Sequence, residues 1–321
     1  MSDERLSPTE LAAALKHEAL RLGFDLAGAA PAGSPRRLDA LHQWLAAGRG
    51  GDMSYFPRRL AAYADPRSIL PSARSLLMLA AGYRTVEPAE PAPGMGRVAR
   101  YAWGEDYHDV LRGRMRALAE FHRRLTPQAQ VRGVVDTAPL LERDFAQQAG
   151  LGWIGKNTAL VHDRLGSWLF LAALLTSAEL AYDEPAVESR CGTCMACIEA
   201  CPTGALVAPY QLDARRCVSY LTIEHRGPIP GEFHAAIGDR VFGCDRCQEV
   251  CPWNRQASAP ADAAAGPFAP RAGLNPLPLA ELAGLDEAAW QAQFGGTALA
   301  RTGRDGLLRN AAIVQANQGQ K

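Results

Sequence analysis

The N-terminal part of the chain alternates helical apolar stripes with short apolar runs. Residues 7–10 combine the capping Ser, the Pro and the Glu that mark the start of a helix. Leu11, Leu15 and Leu22 then recur at helical spacing until Gly23 interrupts the pattern. The sequence therefore predicts an amphipathic helix near the N-terminus that ends before Gly23.

Three further apolar runs have the length of buried strands, and two other stretches have helical character. The runs cover residues 75–81, 131–135 and 168–175, and the helical stretches cover 107–125 and 140–149. Their alternation predicts an α/β or α+β domain over residues 1–182. Asp136 directly follows the second run, so we expect it at the edge where open α/β sheets usually bind ligands.

Charge and hydropathy exclude two broad classes of protein. The 321 residues carry 34 Lys and Arg against 34 Asp and Glu, which argues against bulk attraction to a polyanion. No apolar run approaches the roughly 18 residues of a spanning helix. The first residues are acidic and polar, unlike a signal or transit peptide. We therefore expect a cytoplasmic protein with no membrane partner.

The eight cysteines all lie between residues 191 and 251, a clustering that favours metal ligation over disulfides. A C-x-x-C-x-x-C-x-x-x-C-P run is followed by Cys217 and then by C-x-x-C-x-x-x-C-P. In such runs three thiolates bind one [4Fe-4S] cluster and the cysteine before Pro binds the other. The first cluster is expected on Cys191, Cys194, Cys197 and Cys251, and the second on Cys201, Cys217, Cys244 and Cys247.

Two [4Fe-4S] clusters indicate one-electron transfer in a ferredoxin-like domain over residues 183–255. A pair of zinc sites is the alternative, because CxxC pairs also fit tetrahedral zinc. An Ala- and Pro-rich linker follows, and residues 256–321 are expected to end in a short helical tail. The chain has no G-x-G-x-x-G after a predicted strand, no Walker A motif and no Ser nucleophile elbow.

Residues 106–108, Asp-Tyr-His, partly match the Asp-x-His-x-x-Gly motif whose histidine binds the cobalt of a corrinoid. Leu111 stands where that motif needs Gly. His108 is therefore expected to begin a helix rather than to bind cobalt.

Several longer segments resemble the epoxyqueuosine reductase family, which completes queuosine at the tRNA wobble position by removing an epoxide oxygen. The matching segments include GGDMSYFPRR (50–59), VARYAWGEDYH (98–108), VVDTAPLLER (134–143), AGLGWIGKNT (149–158), CGTCMACIEACPTGAL (191–206) and GCDRCQEVCPWN (243–254). Longer members continue into C-terminal helical repeats, so the resemblance implies a short form.

The resemblance implies a nitroreductase-like domain that binds cobalamin, joined to a bacterial-ferredoxin-like domain with both clusters. It also implies a tRNA substrate that carries epoxyqueuosine, an external electron donor and a monomeric protein. Asp136 would be the proton donor, although an Asp before Thr-Ala-Pro also suits a helix N-cap. The implied cobalamin contacts are Arg58, Asp136, Leu160, Leu171 and Ser219, and the implied tRNA contact is Arg226.

A proton donor must be protonated near neutral pH, so burial is expected to raise the pKa of Asp136. Val134, Val135 and Trp153 could supply the apolar surface for it.

Two other functions remain open from the residues. One is a corrinoid and iron–sulfur reductase of a small molecule, such as a reductive dehalogenase, although the twin-arginine export signal is missing. The other is a non-enzymatic electron carrier, which would leave the large N-terminal domain unexplained.

Overall fold

The computed structural model describes residues 6–187, 189–259, 263 and 265–319. The α-helices are α1 Pro8–Arg21, α2 Leu38–Ala46, α3 Tyr55–Arg58, α4 Leu60–Tyr63, α5 Tyr107–Leu125, α6 Glu142–Gln148, α7 Ala196–Glu199, α8 Val218–Ile223, α9 His234–Ile237, α10 Arg246–Glu249, α11 Pro252–Arg255, α12 Glu287–Phe294 and α13 Gly303–Gly319. Short 3-10 helices cover Pro66–Ser68, Arg100–Ala102, Ala214–Arg216, Gly231–Phe233, Leu282–Gly284 and Ala298–Arg301.

The strands are β1 Leu26–Pro31, β2 Ser75–Gly82, β3 Met95–Val98, β4 Val131–Val134, β5 Trp153–Ile154, β6 Leu160–Val161, β7 Leu169–Thr176, β8 Leu206–Ala208, β9 Gln211–Leu212, β10 Arg240–Phe242 and β11 Leu277–Pro278. The mixed α/β fold and the three strands predicted from apolar runs are confirmed. Within the described ranges, no helix is both long enough and apolar enough to span a membrane.

The main sheet has the strand order β1-β2-β7-β4, and every neighbouring pair is antiparallel. All eight residues of β2 are buried, because helices cover both faces of the sheet. Leu77 and Leu79 pack on the side of α1 and α5, and Leu76 and Met78 pack on the side of α6. This alternation follows from the two-residue period of a strand.

Because the strands are antiparallel, the sheet edge near Asp136 is not the kind of edge that was expected to bind a ligand. In a parallel sheet that edge is formed by the carboxyl ends of the strands. Here Val134 at the end of β4 pairs with Ala173, so Asp136 lies beside the beginning of β7. The edge near Asp136 is therefore formed by the end of one strand and the start of its neighbour.

A second core joins the cysteine region to parts of the chain before and after it. A three-stranded sheet of order β10-β3-β11 brings these three parts together. Trp103, Phe242, Leu277, Phe294 and Val314 belong to the same buried apolar cluster. The helical tail is thus packed into the core that holds the cysteine loops. The division into three domains stays a prediction.

Candidate functional site

The four thiols assigned to the first cluster are mutual neighbours in the structure. Burial raises the pKa of Cys197, and the nearby thiols of Cys191, Cys251 and Cys194 add to that effect. Burial also raises the pKa of Cys251, with Cys191 and Cys194 again contributing. Cys251 thus lies with the first cysteine run, although it ends the second run in sequence.

The four thiols assigned to the second cluster line one cavity of about 80 Å³, together with Ser219. Backbone N–H groups are directed at the sulfur of Cys201, and that of Ala205 donates to Sγ at 3.2 Å. Burial works to raise the pKa of this thiol, but backbone bonds from Leu206 and Thr203 outweigh it and lower the pKa. Four cysteines that line one cavity, one of them already accepting a backbone N–H bond, fit iron–sulfur ligation.

Trp153 provides a separate indication of fit at the first cluster site. Its indole Nε1 is buried and has no hydrogen-bond partner among the described residues. The ring packs edge-on against Trp253 at a centroid distance of 4.9 Å, and the Arg190 guanidinium lies 5.4 Å from its centroid. These two neighbours flank the ligands Cys251 and Cys191. A buried, unpaired donor close to the segments that carry these cysteines fits a sulfur-rich acceptor there.

Asp136 lies in the loop after β4, with a backbone φ of 51°. This left-handed conformation is uncommon for a residue other than glycine. The backbone N–H of Asp136 donates to Glu142 Oε1 at 2.9 Å. Helix α6 begins at Glu142 and has no side-chain cap. The interpretation of Asp136 as a helix N-cap is therefore wrong.

The Asp136 carboxylate is held by two residues at the start of α5. Its Oδ2 accepts a hydrogen bond from Tyr107 Oη at 3.1 Å and is also 3.1 Å from His108 Nε2. The other ring nitrogen of His108, Nδ1, is 2.7 Å from Asp106 Oδ1. Asp106 also caps α5, because the same Oδ1 accepts from the backbone N–H of His108. We call Asp106, His108 and Asp136 the carboxylate–histidine chain.

The carboxylate–histidine chain determines which groups carry protons. The hydrogen bond from His108 lowers the pKa of Asp136, against the effect of burial. Burial opposes the charge on His108, but its bonds to Asp106 and Asp136 outweigh burial and raise its pKa to about 9. Burial, with the charge of Asp136, raises the pKa of Glu142 to about 8. At neutral pH the protons are therefore on His108 and Glu142.

The expectation of a raised pKa at Asp136 is thus wrong for this arrangement. The reason is the imidazolium of His108, which favours the ionised carboxylate more than burial disfavours it. Half of the Asp136 side chain is exposed. Trp153 packs against Trp253 and Arg190, and its role as apolar surface for Asp136 stays a prediction.

The remaining predicted contacts fall into different surroundings. Leu160 and Leu171 share one apolar cluster beside the main sheet. Ser219 is the second residue of α8 and lines the cavity of the second cluster. Arg58 ends α3 and is exposed, one residue before Arg59, whose guanidinium donates to the carbonyl of Thr137 at 2.9 Å.

Arg226 is exposed, but two of its donors are already used within the fold. Its Nη1 donates to the carbonyl of Thr302 and its Nη2 to that of Arg301, each at 3.0 Å.

Sequence reasoning missed Tyr107, His108 and Glu142 as partners of Asp136. The Asp-Tyr-His triplet at a predicted helix start was a usable signal, because a capping Asp fixes the next residues at that helix end. Glu142 gave a weaker signal, since nothing local indicates that its side chain turns back to the backbone of Asp136.

Two family descriptions match separate parts of the chain. Residues 190–254 match "4Fe-4S double cluster binding domain", and residues 64–137 match "Epoxyqueuosine reductase QueG, DUF1730". The first match covers all eight cysteines, which removes the zinc alternative. The second covers the segment that ends with Thr137, directly after Asp136.

Curated relatives match nearly the whole chain. The epoxyqueuosine reductase of Pseudomonas aeruginosa is 40% identical over 315 residues, which is 97% of this chain and 86% of the relative. The epoxyqueuosine reductase of Synechococcus sp. (strain CC9605) is 41% identical, over 96% of this chain and 95% of the relative.

Solved structures agree with the sequence relatives. An epoxyqueuosine reductase crystallised with a tRNA-Tyr stem loop that carries epoxyqueuosine has a TM-score of 0.86 and 31% identity, over 95% of this chain and 80% of its own. The enzyme of Streptococcus thermophilus has a TM-score of 0.84 and 30% identity, over 94% and 80%. The chain belongs to the epoxyqueuosine reductase family, oxidoreductases of queuosine biosynthesis that use cobalamin and two [4Fe-4S] clusters.

Proposed function

We propose that the chain reduces epoxyqueuosine to queuosine in tRNA, and that Asp136 gives a proton to the departing epoxide oxygen. The observation that carries the proposal is the carboxylate–histidine chain, in which a protonated His108 lies 3.1 Å from Asp136 Oδ2. The tRNA stem loop bound to the solved relative supports the substrate class.

The proposed chemistry consumes two electrons and two protons. Both C–O bonds of the epoxide break, a C=C bond forms, and the oxygen leaves as water. Asp136 is ionised at rest, so it takes a proton from His108 Nε2 across the hydrogen bond between them and passes it from Oδ2 to the departing oxygen. The second proton reaches that oxygen from solvent, since half of the Asp136 side chain is exposed. Asp106 keeps the imidazole oriented through Nδ1, as a carboxylate beside a catalytic histidine commonly does.

Glu142 holds the Asp136 loop in place while itself remaining neutral. Its Oε1 accepts from the backbone of Asp136, where φ is 51°. Because this carboxyl group is protonated near neutral pH, it adds no second negative charge beside Asp136. Tyr107 supplies a further donor to Oδ2, which helps to hold the carboxylate in place.

Bound cobalamin would supply a strongly reducing cobalt centre. We propose that Arg58, Asp136, Leu160, Leu171 and Ser219 hold it. The shared apolar cluster of Leu160 and Leu171 supports an apolar wall for a corrin ring. The position of Ser219 in the second cluster cavity supports a short path between that cluster and the corrin.

We propose the cluster ligands as two interleaved sets. The neighbourhood of the thiols and the cavity shared by the second set support this assignment. The proposed ligands are Cys191, Cys194, Cys197 and Cys251 for the first cluster, and Cys201, Cys217, Cys244 and Cys247 for the second.

Arg226 is proposed to contact tRNA with the guanidinium donors that the carbonyls of Arg301 and Thr302 leave free. An arginine has five N–H donors, and only two are used here. The external electron donor, the monomeric state and the cytoplasmic location stay predictions. The relatives favour the tRNA substrate over a small molecule, and a pure electron carrier would form no queuosine at all.

The test is an anaerobic single-turnover assay on epoxyqueuosine-containing tRNA, with cobalt and iron content measured in parallel. Asp136→Asn should keep both cofactors and lose about 10²- to 10⁴-fold in rate, the usual range for a lost general acid. Asp109→Asn is the matched control, because Asp109 lies on α5 beside the residues that hold Asp136, and its ion pair within the described ranges is with Arg112. Near wild-type turnover by a fully loaded Asp136→Asn protein would disprove the role of Asp136.

A further inference from the structure

A cavity of about 530 Å³ on the surface of the protein is lined by an excess of positive charge. Four carboxylates also line it, so two positive charges are left over in a chain whose net charge is zero. We call it the arginine cavity, after Arg84, Arg97, Arg100, Arg240, Arg246 and Arg255.

The carboxylates of this cavity are too few to neutralise the charges of its arginines. Arg84 and Arg100 both pair with Glu87, at 3.1 and 2.8 Å. Arg240 donates to the carbonyl of Ile237. Arg255 is exposed and has no hydrogen bond or ion pair among the described residues.

Arg100 is the buried member of the set. Its side chain is 5% exposed, and its guanidinium lies 4.9 Å from the ring centroid of Trp168. Its Nε is buried without a hydrogen-bond partner in the described part of the chain. A buried guanidinium with an unused donor, beside a surplus of positive charge, favours an anionic occupant.

The cavity lies directly behind the iron–sulfur loops. Helix α10 contributes Arg246 and Glu249 to the cavity, and its Cys247 lines the cavity of the second cluster. Arg246 lines both cavities, so the arginine cavity and the cavity of the second cluster adjoin at this side chain. Arg255 ends α11, which follows the first-cluster ligand Cys251. One wall of the arginine cavity is thus the outer side of the loops that hold both clusters.

The catalytic carboxylate lies on a different side of these loops. The backbone N–H of Arg100 donates to Asp245, which adjoins Cys244. The next residue, Tyr101, packs edge-on against Tyr107, whose hydroxyl reaches Asp136. The side chain of Arg100 faces the arginine cavity, whereas the next residue, Tyr101, contacts Tyr107 of the proposed site of epoxide reduction.

We propose that the arginine cavity is the docking site of the electron donor, and that this donor is a small acidic protein with a one-electron redox centre. Each turnover needs two electrons, and the clusters accept them one at a time. The carrier gives up one electron in each of two successive encounters, and these two electrons, with two protons, balance the loss of one oxygen as water. The inference rests on the proposed function, because it takes both clusters to be loaded.

The extent of the rim favours a protein over a small anion. Glu87 and Glu90 have side chains that are 70% and 89% exposed. Exposed charges of both signs around a positive centre can orient a partner surface as well as attract it. Binding of a small phosphate-like anion remains the competing outcome of the test.

The experiment follows cluster reduction in the fully loaded protein without tRNA, so its failure is separate from failure of the tRNA chemistry. Flavodoxin hydroquinone serves as the acidic carrier, and bleaching of iron–sulfur absorbance is recorded by stopped flow at low salt. Arg255→Glu should lower the second-order rate constant about tenfold, in the range of electrostatic steering. Added salt should slow the wild type more than the variant.

Two controls isolate docking from damage. Arg116→Glu makes the same charge change on α5, outside the cavity, and should leave the rate unchanged. Reduced methyl viologen, a small cation, should reduce Arg255→Glu at least as fast as the wild type.

Equal rates with flavodoxin for Arg255→Glu and the wild type would overturn the proposal and direct attention to other entry points, such as exposed Cys194. Calorimetric binding of inorganic pyrophosphate that Arg255→Glu abolishes, without any change in the carrier rate, would also overturn it in favour of a small-anion site.

Discussion

The carboxylate–histidine chain, which we call the proton side, and the cysteine loops, which we call the electron side, are built in opposite ways. The carboxylate–histidine chain is polar, half-exposed and already hydrogen-bonded from end to end. The cysteine loops instead gather thiols that are half-buried except for the exposed Cys194, and burial raises the pKa of Cys244 to about 12. Deprotonating such thiols is costly until iron compensates for it. The proton side is thus complete from protein groups alone, whereas the electron side depends on its metal.

The largest expected effect is the separate loss of each cluster. Cys251→Ala should remove the first cluster and leave the second, because the thiol of Cys251 lies among those of the first run. Cys201→Ala should do the reverse. Iron analysis and EPR of each anaerobically purified variant would measure this. Loss of the cluster at Cys244 and Cys247 in Cys251→Ala, with the first cluster intact, would contradict the crossover.

The second largest expected effect comes from replacing His108, which should impair the proton side and leave the electron side intact. His108→Gln removes the imidazolium that recharges Asp136, so the single-turnover rate should fall about 10²-fold while iron and cobalt content stay unchanged. His17→Gln on α1 is a suitable control, since it replaces an exposed histidine outside the site. An unchanged rate in His108→Gln would mean that Asp136 takes its proton from another source.

Above pH 6.5, the free energy of unfolding should depend on pH mainly through His108 and Glu142. His108 has a folded pKa of about 9, above its ordinary value of 6.5, so its ion pairs stabilise fully below pH 6.5 and are lost as pH rises through 9. Glu142 keeps its proton to about pH 8, so burying it costs stability as pH rises from 4.5 through 8.

Both groups therefore lower the free energy of unfolding as pH increases, most steeply between pH 6.5 and 8, where their two windows overlap. Denaturant unfolding of the loaded protein across this window would measure the decline. The decline should be smaller in His108→Gln. A free energy of unfolding that rises over the same window would contradict these assignments.

The smallest expected effect concerns tRNA binding at Arg226. Arg226→Ala should weaken tRNA affinity without releasing iron or cobalamin, and should reduce the log–log salt slope by about 0.7 to 0.9 for one lost phosphate contact. Filter binding at several salt concentrations gives both quantities. Because Arg226 also bonds to the carbonyls of Arg301 and Thr302, thermal unfolding should be measured in parallel. Unchanged affinity and slope would exclude Arg226 from the interface.

Local signals in the sequence were sufficient to predict the long helices and strands. The capping box at Ser7 and Glu10 is present, and α1 begins where it was expected. Strand β1, with the sequence LAGAAP, was missed because its small residues lack the β-branched and aromatic pattern of a strand. Its burial comes from tertiary packing, since Gly28 allows the backbone of Ala149 to approach closely.

The chemistry of the candidate site was predicted less evenly. Cysteine spacing specifies a cluster framework, because the ligand geometry repeats over a few residues. The protonation of Asp136 could not be read from its neighbours in sequence, because His108 reaches it from another element. Electrostatic contacts between α5 and the loop after β4 exist only in the folded chain.

The packing of α13 affects the order in which the protein can mature. Asn310 on this helix donates to the carbonyls of Thr222 and Val241. These hydrogen bonds connect α13 to α8 and β10, which adjoin ligands of the second cluster. A ribosome makes α13 well after the last cysteine ligand. Docking of α13 therefore completes the packing of α8 and β10, which adjoin the ligands Cys217 and Cys244, only after every cysteine ligand has been made.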